Sequence, residues 1–145
     1  FEQTVLADLR ARGVVGRYVF LLEVTGSPAD LVARDGAAAA TYAHALTHSG
    51  LDRLAAAHID GISVDKRILL RADGPSLVAA AHARDLTVFT WTCRPENAFL
   101  DRRFRASGGT AAFGDFHGEW ARLALTGLDG VFVDHADLGV EAFRG

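Results

Sequence analysis

Trp91, Arg94, Glu96 and Asn97 stand close together directly after a run of strand-forming residues. Arginine presents a planar fork suited to a phosphate or carboxylate, and an indole beside it offers an apolar platform. Glu96 and Asn97 add hydrogen-bonding groups, which makes the segment a candidate substrate-binding site. The alternative is a core tryptophan followed by a solvated turn in which Arg94 and Glu96 pair weakly. A second group, Asp129, Asp134, His135 and Asp137, surrounds the last apolar run. Asp134 with His135 has the residue types of an acid/base or metal pair. Asp137, just before Leu138, reads as a helix cap; Asp134 stays open between the two roles. Lys66 follows another apolar run and either reaches a ligand at the same rim or lies on the surface. His44 and His48 have the i, i+4 spacing of paired ligands, but without a neighbouring Glu they read as partly exposed histidines near a helix start at Thr47. His58, His82 and His117 have no partner pattern. No Gly-rich phosphate loop, Cys/His zinc spacing or nucleophile elbow occurs. The residue types that would break a bond are therefore not visible.

These groups need elements to hold them. Thr4–Arg12 carries Val5, Leu6 and Leu9 on one helical face, with Gly13 as its stop. Tyr18–Val24 is a continuous apolar run of strand length. After a turn around Gly26–Asp30 and an Ala-rich stretch, Leu51, Leu54 and Ala55 predict a helix that leads through His58 into a strand at Ile59–Val64. Gly74 and Pro75 open a helix turning Leu77, Val78 and Ala81 inward, and Leu86–Thr92 is the strand that carries Trp91. Trp120, Leu123 and Ala124 mark a helix closed by Gly127; Gly130–Val133 is the last strand, and a final helix runs roughly over Leu138–Arg144. Four strands alternating with helices predict βαβ units and a parallel sheet, in which chemistry gathers at the carboxyl ends of the strands. The connection from Cys93 to Gly118 is far longer than the usual few-residue βα loop, and Gly108, Gly109 and Gly114 argue against a hidden helix or strand in it. Such a loop is functional or disordered.

A chain of 145 residues, half of them hydrophobic, suits one folded domain. A net charge of −3 with no run of Lys or Arg argues against a nucleic-acid surface and for a small-molecule partner. Cys93 is the only cysteine, so an intrachain disulfide is excluded and the redox compartment stays open. No apolar run nears the roughly 20 residues of a membrane helix, and no signal-type segment opens the chain. Phe1, not Met, begins it inside an element, so a fragment or processed chain is expected.

Leu77–Asn97, then Phe99-Leu100, Gly114-Asp115 and Gly127-Leu-Asp-Gly-Val-Phe-Val-Asp-His-Ala-Asp137, resemble the carboxyl-terminal half of a glycerophosphodiester phosphodiesterase of the longer, frequently exported kind. Ala81-His82, Leu86, Val88, Trp91-Thr92, Arg94, Glu96-Asn97 and Phe99-Leu100 carry the likeness. Phe1-Glu2 is similar to the end of the family's Ser-Phe strand motif, and Gly61–Lys66 to its next strand segment. Asp85 replaces a usual Gly, Val133 a common Thr and Ala136 a usual Pro, departures that weaken turn geometry.

The resemblance implies a (β/α)8 barrel in which a divalent cation, Ca²⁺ or Mg²⁺, and a pair of histidines hydrolyse glycerophosphodiesters to glycerol 3-phosphate and an alcohol, within glycerophospholipid metabolism. It also implies that the family's His-Arg motif, Glu-x-Asp ligands, second His and later metal-binding Glu precede Phe1, so neither catalytic residues nor metal ligands are expected here. Trp91 is expected to line the substrate pocket, with Arg94, Glu96 and Asn97 as motif positions grouped with it in substrate binding. Exported relatives make a periplasmic or extracellular setting one outcome to expect. A complete barrel takes roughly 250 residues. Residues 1–145 are therefore expected to form its carboxyl-terminal half, with an unpaired sheet edge that invites a homodimer or the amino-terminal half. A different reading is a non-catalytic α/β binding or assembly module that completes its sheet with a partner.

Overall fold

In the computed structural model, which describes residues 1–143, four runs rich in β-branched and aromatic residues form strands: β1 Val19–Leu22, β2 Gly61–Asp65, β3 Thr87–Cys93 and β4 Gly130–Val133. They pair in the order β1-β2-β3-β4, every neighbour parallel. Crossovers of one hand in unbroken order keep their helices on one face of a sheet and leave the other without them. Burial follows that division. Phe20, Leu22, Ile62, Val64, Val88 and Thr90 point toward the helices and are buried. On the other face Leu21, Phe89 and Trp91 are half-buried, and Phe132 is 56% exposed. This is the winding of a barrel wall and not of a doubly wound sheet, so the predicted α/β class with parallel strands of a partial (β/α)8 barrel holds.

Eight helices accompany the four strands among the described residues: α1 Gln3–Ala11, α2 Ala29–Asp35, α3 Tyr42–Ala45, α4 His48–Ala56, α5 Lys66–Leu69, α6 Gly74–His82, α7 Phe116–Ala124 and α8 Ala136–Phe143. Gly13, at φ +73°, stops α1 as its position predicts. Thr47 caps α4 by accepting the Gly50 amide at 3.1 Å, and Pro75 stands in the first turn of α6. Three helices depart from the sequence reading. Residues taken as a turn and an Ala-rich stretch include α2, whose only buried residue is Leu31, too little for an apolar period to register. The helices α3 and α5 are four residues each, a single turn fixed by the side chains of Thr41 and Asp65 and not by periodicity.

Asp137 is not the cap it was read as: α8 already begins at Ala136, the Gly139 amide bonds the His135 carbonyl at 2.9 Å, and Asp137 lies in the first turn at the positive end of the helix. Arg144, the expected end of that helix, lies outside the described residues. The long connection after β3 is also more ordered than its glycines suggest. It holds a 3-10 turn at Arg102–Phe104 and an antiparallel bridge between Glu96 and Phe113. No helix among the described residues is long and apolar enough to cross a membrane.

Asp85 joins α6 to β3 at φ +58°, the left-handed region in which the resemblance places glycine. That conformation costs an L-residue about 1–2 kcal/mol, less for Asp, against about 0.5–1 kcal/mol for the extra chain freedom a glycine loses. Asp85→Gly is therefore expected to raise stability by up to about 1 kcal/mol. A urea midpoint that rises at constant slope supports this, and a lower midpoint contradicts it.

Candidate functional site

At the carboxyl end of β3 the chain lays Trp91 across its neighbour strand. The indole Nε1 donates to the Ser63 carbonyl at 3.2 Å, and Trp91 is in register with Asp65 of β2. Phe1 meets the indole edge-on with ring centres 5.5 Å apart. Trp91 therefore bridges β2 and β3 at the rim of the helix-free face, with its outer surface open.

Arg94 is pinned from three sides. Its guanidinium lies 3.8 Å over the Phe99 ring, its Nη2 donates to Glu96 at 3.0 Å, and its Nε lies 3.2 Å from an Asp134 carboxylate oxygen. The hydrogen bond from Arg94 holds the Glu96 carboxyl below the usual range. Glu96 also lies 3.6 Å from His135 Nε2, whose ring packs edge-on against Phe113. Asp134 and His135 thus serve different partners and do not form the acid/base or metal pair that their adjacency suggested.

Asn97 is buried behind the rim. Its amide nitrogen donates to the carbonyls of Ala106 and Gly109 at 3.1 and 3.3 Å, and its oxygen accepts the Ala106 amide at 2.9 Å. These bonds fold the loop after β3 back on itself.

Between the ends of β2 and β3 and this loop lies a cavity of about 560 Å³, lined by Asp65, Lys66, Trp91, Thr92, Arg94, Asp101, Arg102, Arg105 and Asp134 among others. A second recess of about 410 Å³ opens beside it, on the helix-free face, between Phe1, Leu21, Trp91 and Phe132. Trp91, Thr92 and Asp134 line both. Of the predicted group, Trp91 and Arg94 come together in the cavity, whereas Glu96 and Asn97 stand behind it.

Lys66 is not a surface lysine. It lines the cavity yet is buried, its ammonium paired with Glu119, which is wholly buried in α7. The other Glu119 oxygen accepts the Asp101 amide at 2.7 Å, so one carboxylate ties the end of β2, the loop and α7 together. Sequence reasoning missed Glu119. The signal was present: it stands among Phe116, Trp120 and Leu123 on the buried face of an amphipathic helix, where an unpaired carboxylate is not tolerated.

Several other polar residues are structural. Burial pushes the Cys93 thiol up to about 12, which leaves it protonated and inert. His44 bonds to Arg53, and among the described residues no three His, Cys, Asp or Glu side chains converge as metal ligands. Asp129 belongs to the opposite end of the sheet, where it accepts the Val88 amide at 2.6 Å and lies 2.9 Å from His82 Nε2. Burial raises its pKa, but the Val88 amide and His82 outweigh that and hold the carboxyl below its ordinary value. This contribution is fully present above the unfolded Asp value of about 3.9 and is lost as pH falls through the lower folded value. Stability is expected to decline below about pH 4, and Asp129→Asn is expected to make that decline shallower. Urea titrations from pH 6 downward check this; an unchanged acid slope in the variant contradicts it.

The family model of the glycerophosphoryl diester phosphodiesterases matches residues 4–138. The chain belongs to this family. The match spans all four strands, the cavity and both segments, Leu77–Asn97 and Gly127–Asp137, that carried the resemblance. No curated protein matches the chain. Family chemistry is phosphodiester hydrolysis, and in barrels such chemistry occupies the rim at the carboxyl ends of the strands, where Trp91 and Arg94 stand. The rim carries an apolar platform at Trp91, a cation at Arg94 held by Phe99, Glu96 and Asp134, and a loop tied back on itself by Asn97.

Proposed function

We propose that residues 1–145 form the carboxyl-terminal half of a metal-dependent glycerophosphodiester phosphodiesterase that releases glycerol 3-phosphate and an alcohol, acting on glycerophospholipid-derived diesters. The observation that supports this most directly is the position of Trp91, at a strand end on the helix-free face of a sequentially wound parallel sheet, inside the span that matches the family. In this reading Trp91 packs against the glycerol carbons and Arg94 presents a fixed positive charge. Glu96 and Asn97 contribute to substrate binding by holding Arg94 and the loop in place. The divalent cation, Ca²⁺ or Mg²⁺, and the histidines come from an amino-terminal half that also covers the open edges of β1 and β4; the bound cation supplies charge stabilisation to the phosphoryl group.

Glycerophosphocholine incubated with the full gene product and Ca²⁺ or Mg²⁺ tests the proposal. The expected result is release of glycerol 3-phosphate that stops on chelation. The 145-residue chain alone is expected to give none. Metal-dependent turnover by the isolated chain would contradict the division of labour between the halves. No turnover by the full protein would favour a binding or assembly module.

A further inference from the structure

The cavity beside Trp91 carries more positive charge than its own carboxylates neutralise. Asp65 pairs with Arg67 at 2.6 Å, Asp101 with Arg103 at 2.8 Å, Asp134 with Arg94 at 3.2 Å, and Lys66 with Glu119. Arg102 and Arg105 line the same cavity and have no carboxylate partner among the described residues. Arg105 is oriented nonetheless. Its Nε donates to the Leu100 carbonyl at 2.9 Å, which fixes the guanidinium plane and leaves both terminal nitrogens without a protein partner among the described residues. The loop that carries both arginines is pre-organised. Asn97 clamps it from within, the Asp101 side chain caps its 3-10 turn, and the Asp115 amide bonds the Phe104 carbonyl at 2.8 Å. Two guanidinium groups without carboxylate partners, one of them oriented, on a pre-organised loop beside a cavity are suited to a dianionic, phosphate-like group.

Position narrows the choice of ligand. The recess on the helix-free face faces the barrel axis, where a diester would react, and it meets the cavity at Trp91, Thr92 and Asp134. A substrate lying across Trp91 has its reacting phosphate on the axial side and its alcohol among the loop residues. We propose that this cavity is the subsite for the leaving alcohol, and that Arg102 and Arg105 select alcohols bearing a second phosphate. The proposal rests on the phosphodiesterase reading above.

Glycerophosphoinositol and glycerophosphoinositol 4-phosphate form a matched pair that differs only in that phosphate. With the full gene product, kcat/KM is expected to favour the phosphorylated diester by about tenfold or more, and the double variant Arg102→Gln/Arg105→Gln is expected to lower the ratio by about tenfold, the scale of charge-assisted hydrogen bonds. Both side chains are exposed, so the variant is expected to fold. A wild-type ratio of one or below, or a ratio unmoved by the double variant, overturns the proposal. The phosphate of product glycerol 3-phosphate is the other dianion within reach. If the double variant relieves inhibition by glycerol 3-phosphate and leaves the substrate ratio intact, the arginines hold product and the proposal fails. If glycerophosphocholine is cleaved and neither inositol diester is, the proposal fails; if none of the three is cleaved, the phosphodiesterase reading fails by itself, and calorimetric titration with inositol 1,4-bisphosphate still judges the subsite. Binding weakened about tenfold in the variant sustains it, and undiminished or absent binding overturns it.

Discussion

Glu119→Leu is expected to destabilise the protein by about 3–5 kcal/mol, the largest effect of any single replacement at the site. Glu119 is wholly buried and Lys66 nearly so. Removing the carboxylate strands an ammonium group away from water and also leaves the Asp101 amide without its acceptor. The melting temperature should fall by roughly 10 °C or more. The cost belongs to the unpaired charge and not to the ion pair as such, because taking two charges out of water consumes most of what their attraction returns. Replacing both partners, Lys66→Met with Glu119→Leu, should therefore recover most of the loss, a strongly non-additive pair. Urea unfolding of the wild type, the two single variants and the double variant measures the cycle. A single variant that loses less than about 1 kcal/mol, the range of exposed pairs, would mean that Lys66 finds water and is not buried as described.

The same pair shows where sequence reading stops. Lys66 and Glu119 are 53 positions apart, and only tertiary folding tells a lysine at a strand end from one on the surface. Asn97 stood in the right motif, but an asparagine that binds a ligand and one that clamps a loop are the same residue type. Its three loop bonds could be read only once Ala106 and Gly109 had been brought back to it. By contrast, β3 and β4 were legible almost to the residue, because Val88 to Trp91 and Val131 to Val133 combine β-branched and aromatic side chains between clear punctuators. The one-turn helices α3 and α5 had no period to show. Asp85 was visible as a departure from the family's glycine, and its positive φ gives that departure a physical meaning.

The second large effect concerns Trp91. The indole closes one side of both recesses, and its contacts within the chain are modest: one hydrogen bond to Ser63 and an edge-on meeting with Phe1. If its open surface receives the glycerol carbons, Trp91→Ala removes an apolar contact made with substrate. The loss in catalytic efficiency is expected to be about 1–3 kcal/mol, roughly 5- to 150-fold in kcat/KM. Trp91→Phe keeps an apolar platform and should lose less.

The central claim is that this rim binds a glycerophosphodiester, and the most direct measurement compares kcat/KM for glycerol 3-phosphate release with melting temperature in the full gene product and its Trp91→Ala variant. The account predicts metal-dependent release by the wild type and a several-fold to hundredfold loss of kcat/KM in the variant at a melting temperature within a few degrees of wild type. A variant that melts much lower while its folded fraction turns over normally would make Trp91 a core residue, and would contradict the account.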